Sequence, residues 1–348
     1  MLLLKELAPD HNTISNFRRD NEKAIRQVFR HTVSIAKKFD LIGGSLLAGD
    51  STKLRAQNSK KNNFTPGKIE KHIAYIDAKL DEYNKALSEA DGDNKKIIEQ
   101  QIAKHIGRRK GYEAMGKFLE ETGQVQVSTS DSESRQMITR NNITEVAYNV
   151  QTVVDAKHCL PIDYKVTNEN DSKAMGGMLR RTKVILKSTD FTALYDKGYH
   201  TRSEIKIGIE MGINLLVAIP EVASNAPDLN YNVANFVYDT TSDTFTCPQK
   251  QILRSNGNWY KKDRGKFITM KKQYKTSHCS QCPARELCTK NPKGRIIERS
   301  EHAEYIEKNM LNIEANRDIY KRRQAIVEHP YGIIKRLPIA IGRVFIIS

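Results

Sequence analysis

The chain has 348 residues, 39% of them in the apolar AVILMFWYC set, and a formal net charge of +16. That much apolar chain excludes a disordered protein, and the length suits about two domains. No apolar run approaches the roughly 18–20 residues of a membrane span, and Lys5 and Glu6 directly after Met-Leu-Leu-Leu deny the start the order of a signal peptide. In chain order, Phe17, Ile25, Val28, Phe29 and Val33 recur at helical spacing over 13–39, with Thr13 or Ser15 as cap. Leu46, Leu47 and Ala48 lead into Asp50, which predicts a buried strand over 46–50 ending in an acid. Two apolar stripes, one from Ile69 to Leu87 and one from Ile98 to Ile106, flank the turn at 90–94 and predict an αα-hairpin over 66–120. After a polar loop at 122–142, the runs 146–156 and 160–166 read as a β-hairpin. A helix over 171–187, a strand over 191–196 ending in Asp196, a helix over 201–211 and a buried strand over 213–219 follow. A long irregular stretch, 220–300, precedes a closing helix over 301–336. No tandem repeat and no dinucleotide or P-loop glycine pattern is present.

Charge and cysteine both concentrate late in the chain. Residues 1–65 carry net +6, residues 66–244 net −3 and residues 245–348 net +13. A basic block beside a near-neutral body suits a polyanion partner, most simply nucleic acid; a basic solvated surface is the other reading. Cys159 stands alone in an apolar stretch and reads as a buried small hydrophobe. Cys247, Cys279, Cys282 and Cys288 fall within 42 residues, in the order Cys-Pro, then Cys-x2-Cys-x5-Cys. Clustered thiolates without a secretory signal suit a tetrahedral structural Zn²⁺ in a degraded zinc ribbon, with a reduced, metal-free cluster as the alternative. His278 flanks the knuckle and is a possible substitute ligand.

Two hydrophobic runs end in Asp50 and Asp196, and a third acid, Glu328, sits on the late helix. Three carboxylates at one sheet edge repel one another unless cations bind. Two Mg²⁺ or Mn²⁺ ions on hard oxygen ligands would answer that, and would activate a water or 3′-hydroxyl against a phosphodiester. Any one of these acids taken alone reads as a surface carboxylate or a helix cap.

Several segments carry a wider resemblance. They are Pro9-Asp10-His11-Asn12-Thr13-Ile14-Ser15-Asn16-Phe17-Arg18; Asp50-Ser51-Thr52-Lys53; Tyr148-Asn149-Val150-Gln151 with Val154-Asp155; and Asp196-Lys197-Gly198-Tyr199. The Cys-Pro and Cys-x2-Cys-Pro elements and Glu328-His329-Pro330-Tyr331-Gly332, with Lys335 and Arg336 after it, complete the set. In this order they resemble the DDE transposases of bacterial insertion sequences, in the branch with a Cys-rich insertion before the final Glu. Ser51 stands where that family usually has Gly, and Arg323 lies one residue further from Glu328 than in its Tyr–Arg–Glu–Lys signature.

The resemblance implies an α/β fold: a ribonuclease H-like mixed sheet of five strands, three antiparallel then two parallel, flanked by helices. It implies a helical N-terminal remnant over 1–45 and a core over 46–219 with the hairpin 66–120 inserted. A Cys-rich, zinc-ribbon-like basic insertion over 220–300 and a C-terminal helix over 301–348 follow. Asp50, Asp196 and Glu328 are then the catalytic metal ligands, and Tyr320, Arg323, Lys335, Arg336 and Lys197 the DNA contacts. Asp155 is a fourth acid near the site or a hairpin-edge acid, and His329 packs beside Pro330. The implied activity is metal-dependent strand cleavage and transfer on double-stranded DNA, by a homodimer on DNA in the bacterial cytoplasm with the nucleoid and no membrane. Against the family pattern, the chain reads as truncated at both ends, with LPIAIGRVFIIS as an aberrant tail. A catalytically defective remnant that only binds DNA is therefore the alternative.

Overall fold

The computed structural model describes residues 10, 13, 16–17, 20–56, 58–130, 134–139, 143–168, 170–221, 226–263 and 268–336, with side chains as far as residue 332. Most of the Pro9–Arg18 segment and the tail from residue 337 lie outside the described residues. In chain order come α1 (Glu22–Lys38), β1 (Leu46–Arg55), β2 (Asn63–Phe64), α2 (Pro66–Glu89), α3 (Gly92–Thr122), β3 (Val127–Ser128) and β4 (Arg135–Ile138). They are followed by β5 (Thr144–Asp155), β6 (Leu160–Thr167), α4 (Met175–Leu186), β7 (Thr192–Tyr195), α5 (Arg202–Glu210) and β8 (Asn214–Val217).

Five of these strands form a mixed sheet in the spatial order β6-β5-β1-β7-β8. β6, β5 and β1 pair antiparallel, and β1, β7 and β8 pair parallel, as the resemblance implied. β4 continues the sheet beyond β6 along the same edge of β5. Side chains alternate between the two faces, and helices bury both. Leu47, Val153, Ala193, Leu215 and Val217 pack with Met178 and Leu179 of α4 and Ile205 of α5. Ala48, Val154, Leu194 and Leu216 face the other way.

β1 differs from its sequence reading, which ended it at Asp50. β5 is 12 residues long and keeps pairing with β1 out to Arg55, so the strand runs on past the acid. The parallel partner β7 pairs only with Leu46–Ala48, and from there on that edge of β1 meets no strand among the described residues. Asp50 therefore stands at a rim made by the end of its neighbour, not by the end of its own strand.

Of its two readings, Asp155 takes that of the hairpin-edge acid: it ends β5 opposite Leu160 of β6. It is 1% exposed, and its carboxylate accepts from the backbone N–H groups of Gly43, Gly44 and Lys157 at 2.7–3.0 Å. It pairs with Leu47, toward the start of β1, so it ties the entry loop to the sheet away from the rim. Cys159 is half-buried at the margin of the core.

The stretch read as irregular contains a second sheet. β9 (Val237–Asp239), β10 (Thr244–Thr246), β11 (Ile252–Ser255), β12 (Tyr260–Asp263), β13 (Ile268–Lys275) and β14 (Ile297–Ser300) pair antiparallel throughout. Its core is small: Phe236, Phe245, Leu253, Tyr274 and Ile297. Five of the six strands have three or four residues, which leaves too few alternations to read from sequence, and the eight-residue β13 is interrupted by polar and lysine residues.

One carboxylate braces this sheet. Asp243 accepts from Lys272 Nζ (2.8 Å) and from the phenols of Tyr274 (2.5 Å) and Tyr238 (2.8 Å). Lys272, with the two phenols, holds its carboxyl at about 2. A folded value below the unfolded one, about 3.9, stabilises the sheet above that pH and is lost as pH falls toward 2. Trp259, the one tryptophan of the chain, lies 5.2 Å from Lys272 Nζ at its ring centre. Its emission should report an acid transition between about pH 4 and pH 2 that Asp243→Asn flattens. An identical acid limb in the variant would refute that role.

The chain returns to the core through α6 (Ala303–Ala315), α7 (Arg317–Lys321) and α8 (Arg323–Arg336), where one helix was read. Ile326, Val327 and Tyr331 of α8 cover the second sheet face. Asn309 of α6, fully buried, accepts from Val217 N (2.9 Å) and donates to Val217 O (2.8 Å). Its side-chain amide thus pairs with the outer edge of β8 as a neighbouring strand would.

Candidate active site

The parallel register of β1 and β7 sets Ala48 beside Leu194, and two residues further it brings Asp50 level with Asp196. Asp196 follows β7 directly and caps the turn Lys197–Tyr199, its Oδ1 accepting from Gly198 N at 2.9 Å. Asp50 Oδ1 accepts from Ser51 N (2.7 Å) and Oδ2 from Arg323 Nη1 (3.2 Å). The Tyr331 hydroxyl, 2.6 Å from Thr152 Oγ1, donates to the Asp50 main-chain oxygen at 3.0 Å, clamping α8 onto β1. Tyr320 donates its hydroxyl to the Tyr195 carbonyl at 3.1 Å, next to Asp196.

Burial raises the Asp50 carboxyl above the usual aspartate range, against the pull of the Ser51 N–H and Arg323, and repulsion from Asp196 adds to it. Burial also raises the Tyr320 phenol. Arg323 stays firmly protonated: burial opposes its charge, but Asp50, Tyr320 and Asp196 outweigh that. The site is thus a pair of half-buried carboxylates at a sheet rim, with one guanidinium held on Asp50.

Arg323, Val327 and Tyr331 lie four residues apart and share the α8 face turned to the sheet. Glu328 lies one residue round from Val327. It is exposed, and Gln324 Nε2 donates to its Oε1 at 2.9 Å. Among the described residues, no three His, Cys, Asp or Glu side chains are placed to hold one metal ion together. Lys197 is exposed on the turn after Asp196, and His329 is exposed on α8 beside the buried Pro330. The side chains of Lys335 and Arg336 lie outside the described residues.

The residue that sequence reasoning passed over here is Tyr331. It stood inside the Glu328 segment, and its spacing of eight from Arg323 is the helical signal that places both on one face.

Cys247, Cys279, Cys282 and Cys288 line one small cavity of about 30 Å³, with His278 at its margin. All four are free thiols and half-buried. Burial raises the Cys288 thiol, Arg295 opposes this, and the other three thiols add to it. Gln251 N donates to Cys247 Sγ at 3.3 Å.

Residues 246–338 match the family model of the Transposase DDE domain. The match supports a DDE transposase. It covers about a quarter of the chain, from the second sheet to α8, and includes Arg323 and Glu328 but neither Asp50 nor Asp196. No curated protein matches the chain, and no solved structure does. Among the described residues, no helix is long and apolar enough to cross a membrane.

Proposed function

We propose that the chain is a DDE transposase that cleaves and joins double-stranded DNA at the ends of an insertion sequence. One observation carries the reading: Asp50 and Asp196, outside the matched segment, come level at the rim of a ribonuclease H-like sheet, and the matched segment supplies the helix packed over them. The donor set fits a hard divalent cation. Two carboxylates share the rim, and the raised Asp50 carboxyl marks a charge that a cation would relieve. Bound Mg²⁺ or Mn²⁺ would supply the Lewis acidity that activates the attacking oxygen and steadies the leaving one. Asp50 and Asp196 would hold it. Arg323, released from Asp50, would be free to take a DNA phosphate, with Tyr320 beside it. Glu328 would join the pair on leaving Gln324, and Lys197, Lys335 and Arg336 would contact the backbone of the DNA. Pairing two ends calls for a homodimer on the DNA.

A second reading, a chain that binds DNA without cutting it, is favoured by the Arg323–Asp50 contact and by the outward Glu328. Incubating the chain with end-containing duplex DNA and Mg²⁺ separates the two. Strand cleavage supports the enzyme, and gel-shift binding without any cleavage supports the other.

We propose a structural Zn²⁺ in the same lobe on the four cysteines that line one cavity; as placed, no three of them share an ion-holding geometry, so zinc would have to draw them together. We expect about one zinc per chain after purification, which Cys279→Ser with Cys282→Ser removes. A metal-free lobe whose Trp259 emission and melting ignore chelators would exclude it.

A further inference from the structure

Three segments singled out in the sequence, 50–53, 148–151 and 196–199, contain polar residues that the two acids do not account for. They meet at a residue in none of them, Asp171, in the turn between β6 and α4. Its Oδ1 accepts from Asn149 Nδ2 and from Gln151 Nε2, both at 2.7 Å, from neighbouring same-face positions of β5. Its Oδ2 lies 4.0 Å from Nζ of Lys53, which pairs with Asn149 across the sheet. Gln151, 1% exposed, has its amide nitrogen committed to Asp171, so its oxygen faces the Tyr199 hydroxyl and accepts from it. Ser51, at the position where the resembled family has Gly, interacts with the same phenol through its hydroxyl.

Tyr199 closes the turn that Asp196 begins. Its ring is 1% exposed and packs 4.9 Å from that of Tyr195, and its N–H donates to Asp196 O at 3.2 Å. Asp171 also stands directly over this turn. A Cβ placed on Gly198 would lie 3.0 Å from Asp196 Oδ1 and 3.7 Å from Asp171 Oδ2, so the two acids flank one bare glycine. The chain of contacts runs from Asp171 through Gln151 and Tyr199 to the backbone that aims Asp196.

We propose that Asp171 is a positioning residue for Asp196: it fixes the Gln151 amide, which holds Tyr199 and with it the turn that carries the Asp196 carboxylate. It acts from the face of the sheet opposite Arg323 and α8. The inference rests on the reading of Asp50 and Asp196 as the cation-holding pair. Its structural half, control of the turn, does not depend on cleavage.

The test compares Asp171→Ala and Asp171→Asn with the unaltered chain. The Asn variant keeps an acceptor oxygen for Asn149 and Gln151, and the Ala variant does not. For Asp171→Ala we expect amide hydrogen exchange at Gly198 and Tyr199 to quicken by about tenfold or more, with strands β1 and β5 unchanged. The Mn²⁺ concentration for half-maximal cleavage should rise by about tenfold or more, while duplex DNA affinity stays the same. Asp171→Asn should stay within about threefold of the unaltered chain on both readouts. Unaltered exchange at Gly198 and Tyr199 in Asp171→Ala overturns the proposal. So does quickened exchange across the whole sheet, which would make Asp171 a general stability residue. If the unaltered chain shows no Mn²⁺-dependent cleavage, the transposase reading fails instead, and the exchange rates alone decide whether Asp171 sets the turn.

Discussion

Replacing Asp50 or Asp196 with alanine is expected to lower Mg²⁺-dependent DNA cleavage on the order of 10³-fold or more, with DNA affinity little changed. The expectation follows from how the two acids are held. Asp50 is kept largely buried beside Asp196, where its charge is costly without a cation. Removing either acid takes half of the oxygen donors from the rim and leaves the basic residues untouched. Affinity for DNA should still fall steeply with salt, because phosphate neutralisation supplies it. Cleavage that survived either substitution would sink the metal assignment. Glu328→Ala refines the result. A loss as large as that of the aspartates means that Glu328 leaves Gln324 to join them, and near-full activity means that two carboxylates suffice.

Gly49→Ala is expected to destabilise the fold by about 3 kcal/mol or more, measured by urea unfolding. Gly49 faces the side of β1 opposite Asp50, and a Cβ there would stand 2.0 Å from Cε1 and 2.3 Å from Cζ of Tyr195. That ring has no room to retreat. It is 1% exposed, it packs against Tyr199, and its strand is paired on both sides. The ring therefore fills the space that the glycine leaves under β1. Shortening the ring in a Gly49→Ala, Tyr195→Leu double variant should recover part of the loss, since the clash is shared by the two sites. A Gly49→Ala chain as stable as the unaltered one would show that the strand shifts freely at this point.

Much of the architecture was legible along the chain. Runs such as FTALYD and INLLVAI are too apolar and too short for anything but buried strands, and β7 and β8 lie within them. Two long apolar stripes around Ala-Asp-Gly-Asp-Asn predicted the helices that became α2 and α3. Asp50 and Asp196 stood out because an acid directly after an apolar run has few ordinary places to go. The second sheet was hidden, because all but one of its strands are three or four residues long and its core holds only five buried residues.

Asp155 and Asp171 show the limit most clearly. In sequence, Asp155 ends a strand beside a resembled motif, and Asp171 looks like the start of a helix. In space, Asp155 bonds the entry loop, and Asp171 collects Asn149, Gln151 and Lys53. Nothing local distinguishes two such aspartates, since the partners that decide their roles lie up to 118 residues away.

By itself the sequence determined most strands and helices of the first sheet and its cover, that two acids follow apolar runs, and that positive charge gathers in the last third. Periodicity and composition carry those properties, and they need no partner. Only the tertiary structure decided that β1 runs past Asp50, that Arg323 holds that carboxylate, and that Glu328 turns to Gln324. The reason is geometric. At 3.6 residues per turn, Glu328 lies about 140° round the helix from Arg323, whereas a spacing of four would leave it about 40° away. Which face of α8 meets the sheet is settled by the packing of Ile326, Val327 and Tyr331, and that packing fixes which charges reach the rim.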